Sequence, residues 1–263
     1  MLMNSVELEP GLIHLWWLDM TQITEPTLLG EYRALLTDAE RARELRFHFP
    51  EGRKQYMLTR TLVRTTLSRF APVAPGDWSF TDTEYGRPEI SNPHPDMRGL
   101  VFNISHTKDC IVLGVTRDRA LGVDVESLQK SRAGLELATR VFTPREVTAM
   151  RAEHETRHPE RFLELWTLKE AYIKARGMGL SLAPERFGFE LESDHTLSLY
   201  LNADLNDDAG RWWFAQYRLT DDHILAVCCE RASTAPHIDF KQIVPLREER
   251  SFDCALVRRS RDG

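Results

Sequence analysis

The chain has 263 residues, 42% hydrophobic and 28% charged, with 34 Lys and Arg against 40 Asp and Glu. Its net charge of -6 argues against general nucleic-acid binding, although a local basic site is compatible with it. No apolar run is long enough to span a bilayer. The length allows one or two domains with a large core. Cys110, Cys254 and the adjacent Cys228 and Cys229 form neither a disulfide framework nor a zinc spacing. A reducing, cytoplasmic setting fits them. The first ten residues lack the basic start and apolar run of a signal peptide.

In chain order, Ile13 to Leu18 reads as a strand and Leu28 to Leu36 as a short helix. Thr37-Asp-Ala-Glu40 is a capping-box pattern, so a helix should start near Ala39. Pro50-Glu-Gly52 interrupts, and a second helix runs from about Arg53 to Phe70. Between Arg41 and Arg69 the local charge is +6. That is either a solvated helix face or an anion site, where Arg forks grip phosphate oxygens. Trp78 to Phe80 reads as a strand, Glu84 to Pro88 as a turn, and Ser91 to Gly99 as an exposed loop. Leu100 to Ser105, Ile111 to Thr116 and Leu121 to Glu126 follow with short polar links, which predicts an antiparallel meander.

Arg132 to Val141 is helical, and Thr143 with Pro144 caps a new helix. Phe162 to Lys174 is rich in helix formers, unbroken until Gly177. Phe162, Leu165, Trp166 and Ile173 share one apolar face on a helical wheel; Lys169 falls inside it and Glu170 at its edge. An unpaired charge buried there would be costly. Glu170 and Lys174 are spaced i, i+4, acid first, and can pair. Four strands follow: Phe187 to Leu191, Leu197 to Leu201, Trp212 to Tyr217 and His223 to Cys229, with an acidic turn at Asn202 to Gly210. The expected class is α+β. Two similar subdomains, each a small antiparallel sheet packed with helices, divide at residues 1–118 and 119–230. Residues 231–263 are expected to be a partly disordered extension in which Ile238 to Leu246 can pack and Arg258 to Gly263 is disordered.

Three short motifs can carry chemistry. In Asp124-Val-Glu126, alternate strand residues share a face about 6.6 Å apart. Gly122, Asp124 and Glu126 face outward, opposite Leu121, Val123 and Val125. Two such carboxylates can reach one hard cation such as Mg²⁺; a polar strand face is the alternative. In Asn103-Ile-Ser-His106, a hydroxyl, an imidazole and backbone N–H groups can hold a phosphate, or simply start a turn. Tyr85-Gly-Arg-Pro88 puts a guanidinium on a stiff turn.

Taken together and in this order, Tyr-Gly-Arg-Pro, Phe-Asn-Ile-Ser-His, Gly-Val-Asp-Val-Glu and Trp-Thr-Leu-Lys-Glu-Ala-Tyr-Ile-Lys resemble the Sfp-type phosphopantetheinyl transferases over roughly Leu35 to Cys229. The resemblance implies transfer of 4′-phosphopantetheine from coenzyme A to a serine of an apo acyl or peptidyl carrier protein. Adenosine 3′,5′-bisphosphate is released. It implies Mg²⁺ on Asp124, Glu126 and Glu170, Glu170 as the base, and Lys174 on the developing pyrophosphate charge. Lys169 would support the same phosphates. Ser105 and His106 would bind the 3′-phosphate, helped by Arg87 and by Arg43 or Arg53. Family members often carry Lys where Arg87 stands, which keeps the charge and changes its geometry. The implied assembly is a monomeric pseudo-dimer with no membrane or nucleic-acid partner. Two rivals are a non-catalytic CoA- or carrier-binding module, which predicts a missing carboxylate, and a metal-dependent nuclease or phosphatase, which predicts a richer acidic cluster.

Overall fold

The computed structural model describes residues 8–9, 11–129, 134–192 and 195–261. After strand β1 (Leu12–Asp19) come helices α1 (Pro26–Ala34), α2 (Asp38–Glu44) and α3 (Pro50–Leu67). The Thr37 hydroxyl accepts from the Glu40 amide and the Glu40 carboxylate accepts from the Thr37 amide, so the predicted capping box closes. The α3 helix begins three residues earlier than its sequence suggests, because Pro50 occupies its first turn, where a missing N–H costs nothing.

A small hairpin of β2 (Phe80–Asp82) and β3 (Pro88–Ile90) carries the Tyr-Gly-Arg-Pro turn. The expected strand at Trp78 instead starts at Phe80, and Trp78 is buried under α3, its indole donating to Ser68. Next are β4 (Leu100–Thr107), β5 (Cys110–Arg117) and β6 (Leu121–Ser127), then α4 (Leu135–Val141), α5 (Pro144–Arg151) and α6 (His158–Arg176). The expected start of α4 at Arg132 lies outside the described residues. The chain ends with β7 (Phe187–Leu191), β8 (Thr196–Leu201), β9 (Trp212–Thr220), β10 (His223–Glu230), β11 (His237–Val244), β12 (Glu248–Ser251) and β13 (Ala255–Ser260).

The fold is mixed α+β. One sheet has the order β12-β11-β1-β5-β4 and the other β6-β10-β9-β13-β8-β7. Strand alternation sorts side chains into layers. Trp16 and Leu18 of β1 face α1 to α3, while Ile13 and Leu15 join Val123, Val125, Leu225 and Val227 between the two sheets. Ile224, Ala226 and Cys228 face α4 to α6. Helices thus cover the outer face of each sheet, and the inner faces pack on one another.

Two expectations need correction. The meander stops after β5: β4 and β5 pair, but β6 leaves for the second sheet and pairs with β10, about a hundred residues away. The tail is also not a loose extension. Strand β11 runs parallel to β1, and β13 inserts between β9 and β8, so the last thirty residues add strands to both sheets. Arg258 to Ser260, expected to be disordered, lie in β13; Asp262 and Gly263 fall outside the described residues.

Candidate active site

The site forms where two sheet edges meet. Strand β4 ends one sheet and β6 the other, and no backbone ladder joins them. The β4 side chains take over that role. Asn103 Oδ1 accepts from the Val123 amide at 2.9 Å, and Ser105 Oγ accepts from the Val125 amide at 3.3 Å. Buried amides of an edge strand are thereby satisfied.

Helix α6 lies directly on β6. A Cβ on Gly122 would sit 1.9 Å from the Ala171 carbonyl oxygen, so only glycine permits this approach. The predicted outward face of β6 is therefore corrected: Gly122 and Asp124 face the helix, and Asp124 is 4% exposed. Gly177, at φ 65°, ends α6 in the left-handed region.

At this contact Lys174 Nζ donates to Asp124 Oδ1 at 2.7 Å, to Ser105 Oγ at 2.9 Å and to the Val123 carbonyl at 3.1 Å. The Ser105 hydroxyl donates to Asp124 Oδ1 at 2.8 Å. Lys174 has turned to Asp124 rather than to Glu170. Thr107 donates to Glu126 at 3.3 Å. Burial first, then the neighbouring Asp124 charge, pushes the Glu126 carboxyl up to about 7 and also raises Glu170. Beside this cluster opens a cleft of about 390 Å³, lined by Tyr85, Arg87, Trp166, Glu170, Ile173 and Lys174. Arg87 donates to the Lys174 carbonyl at 3.3 Å, near the negative end of α6.

Two family models match, "4′-phosphopantetheinyl transferase, N-terminal" over residues 26–117 and "4′-phosphopantetheinyl transferase superfamily" over residues 120–228. The 4′-phosphopantetheinyl transferase HetI of a Nostoc species is 33% identical over 66% of this chain and 72% of its own. The chain belongs to the Sfp-type 4′-phosphopantetheinyl transferases. The Sfp transferase of Bacillus subtilis is 28% identical over 82% of this chain and 88% of its own. The human L-aminoadipate-semialdehyde dehydrogenase-phosphopantetheinyl transferase is 25% identical over 76% and 69%.

Of the residues expected from the sequence motifs to form the site, Ser105, Asp124, Glu126, Glu170, Lys174 and Arg87 come together around the seam and cleft. His106 follows Ser105 with an exposed edge; desolvation, then the Lys174 charge, holds its imidazole below the ordinary range. Arg43 stacks over Tyr56 and Arg53 donates to the Phe47 carbonyl. Neither touches the cluster, although Gln55 ties the start of α3 to Thr107, next to His106. Most other charge in the basic stretch is committed to the fold: Arg60 and Arg64 pair with Glu40, and Arg69 with Glu249.

Lys169 is the clear correction for this transferase. Its ammonium is 0% exposed and pairs with Glu146 Oε2 at 2.9 Å, while also donating to the Pro184 and Phe187 carbonyls. A group so enclosed has no donor left for a phosphate. It holds α5, α6 and the segment before β7 together. We expect Lys169→Ala to leave Glu146 buried and unpaired and to cost about 3–5 kcal/mol in denaturant unfolding; an unchanged midpoint would contradict this structural role. Asn103 and Thr107 were not singled out for roles from sequence, since strand alternation does not say which edge they meet.

Among the described residues, no three acidic, histidine or cysteine side chains gather closely enough to hold a metal alone. The donor set nonetheless suits a hard cation. Asp124 Oδ2 is buried without a hydrogen-bond partner, and the Asp124 charge raises both Glu126 and Glu170. Mg²⁺ takes few protein oxygens and completes its shell with water and phosphate.

The raised Glu126 predicts a pH dependence of stability. A carboxyl whose folded pKa exceeds its unfolded value contributes stability that is present below about 4.5 and lost as pH rises through about 7. Metal-free protein should melt lower at neutral pH than near pH 5 by this contribution. Glu126→Gln should flatten the slope. A slope unchanged in that variant would assign it elsewhere.

Proposed function

We propose that the chain transfers 4′-phosphopantetheine from coenzyme A to a serine hydroxyl of an apo acyl or peptidyl carrier protein. The observation that carries this reading is the Lys174–Asp124–Ser105 cluster at the seam, with Glu170 beside it on the wall of the cleft. Phosphoryl transfer asks mainly for positioning and charge neutralisation, and this arrangement can supply both.

In the reaction, the carrier serine oxygen forms a bond to the phosphorus that bears pantetheine. The bond from that phosphorus to the bridging oxygen breaks, and adenosine 3′,5′-bisphosphate leaves. Glu170 takes the serine proton; burial, then the Asp124 charge, raises its pKa and so its basicity. Lys174, now on Asp124, offers its charge to the pyrophosphate. Ser105 and His106 would take the 3′-phosphate, helped by Arg87 on the cleft wall and by Arg43 or Arg53. Asp124, Glu126 and Glu170 would hold Mg²⁺, which when bound neutralises the pyrophosphate and improves the leaving group.

The same reading takes residues 1–118 and 119–230 as similar halves of a pseudo-dimer that acts as a monomer. Its support is the passage from one sheet to the other between Arg117 and Leu121. No described helix is long and apolar enough to cross a membrane. Four free cysteines are consistent with a cytoplasmic setting.

The test is intact-mass spectrometry of apo carrier proteins incubated with the enzyme, coenzyme A and Mg²⁺. One phosphopantetheine should appear on a carrier and vanish with EDTA. No gain on any carrier, with coenzyme A binding intact, would favour a non-catalytic binding module.

A further inference from the structure

The family models stop at residue 228, yet the chain beyond them is built into the second sheet. Strand β13 pairs with β9 on one side and β8 on the other, and β7 joins this sheet through β8. One side chain of β13 reaches further. Arg258, itself 11% exposed, lies 3.2 Å from Glu164 of α6, whose carboxylate is 3% exposed. Arg161 and Arg157 approach the same carboxylate at 2.8 and 3.5 Å.

The neighbouring strand adds to the brace. Gln216 of β9, opposite Arg258 in the ladder, donates to the Glu164 carbonyl at 2.8 Å and to Thr167 Oγ1 at 3.0 Å. Arg218 pairs with Glu160. The first half of α6 is therefore held to β9 by hydrogen bonds and to β13 by an ion pair, rather than by apolar packing alone. Its second half carries Glu170 and Lys174.

A helix transmits such a constraint along its axis. Glu170 stands six residues beyond Glu164, about 9 Å at 1.5 Å per residue. Gly122 lets the second half of α6 touch β6 with no side chain between them, so Asp124 and Lys174 meet only if α6 keeps its height on the sheet. Burying a third guanidinium against one carboxylate is costly in itself. Its effect is to fix the helix relative to a strand supplied by the end of the chain.

We propose that Arg258 is a positioning residue for the transfer reaction: through Glu164, strand β13 sets the placement of α6 and hence of Glu170 and Lys174. The kinetic part of this inference rests on the proposed transfer activity.

The test compares full-length wild type, Arg258→Gln and Arg258→Lys, well below their melting points. Hydrogen exchange of peptides spanning 168–175 is read against β1 and β5, alongside single-turnover transfer to a carrier. In Arg258→Gln we expect exchange in 168–175 to rise about tenfold with β1 and β5 unchanged. The transfer rate constant should fall about tenfold with little change in KM for coenzyme A, as small misplacements do. Arg258→Lys, which keeps the charge, should recover part of both. A lower melting temperature with α6 exchange and transfer rate at wild-type values would overturn the proposal. Should Arg258→Gln fail to fold, Arg258→Lys decides: intermediate α6 exchange supports the proposal and wild-type exchange overturns it. If wild type transfers nothing, the functional reading fails, and α6 exchange alone decides the positioning.

Discussion

Glu170→Gln should lose transfer by ~10³-fold while the protein stays folded. The amide keeps the shape of the side chain and its place on the cleft wall, but it cannot take the serine proton or offer a full charge to a cation. Stability should hold or rise slightly. Burial and the Asp124 charge both disfavour the Glu170 carboxylate, so a neutral side chain relieves an unfavourable contact. Single-turnover transfer paired with a thermal melt checks both halves of the prediction. Full activity in this variant would remove Glu170 from both its proposed roles.

Asp124→Ala should reduce both activity and stability. Asp124 is the acceptor for Lys174 and Ser105 at the joint between the sheets. Its loss leaves a largely buried ammonium with Ser105 and one carbonyl for company, at a cost of about 3 kcal/mol. Asp124 Oδ2, buried without a hydrogen-bond partner and proposed above as a metal donor, disappears with it. Transfer should drop by at least ~10²-fold, since positioning and charge neutralisation are lost together. Urea unfolding and single-turnover transfer report the two effects separately. A variant that is destabilised but fully active would make Asp124 a structural residue only.

What the sequence made legible was mostly local. The Thr37–Glu40 capping box, Pro144 at the first turn of α5 and the starts of β4 and β6 depend on neighbours within a few residues, and they stand where they were expected, while β4 runs two residues further, to Thr107. Asp124, Glu126, Glu170 and Lys174 were legible as a candidate set because motif order and residue type mark them. Sheet membership was not. Whether β6 pairs with β5 or with β10 is decided by packing far along the chain, and both choices satisfy the same alternation. Lys169 was misread for a related reason. A lysine inside an apolar stripe signals a partner, but its own segment cannot say whether that partner is a phosphate or the buried Glu146. The tail was misread because Pro, Ser and charge near Arg231 resemble an ending, whereas Trp16, Arg69 and Glu249 bind it back to the first sheet.

The most direct measurement follows both products of one reaction: carrier mass and free adenosine 3′,5′-bisphosphate, with wild-type enzyme, coenzyme A, Mg²⁺ and an accepting apo carrier. The two should rise one for one, and fragmentation should place phosphopantetheine on a carrier serine. Bisphosphate released while the carrier stays unmodified would contradict group transfer and make the site a hydrolase.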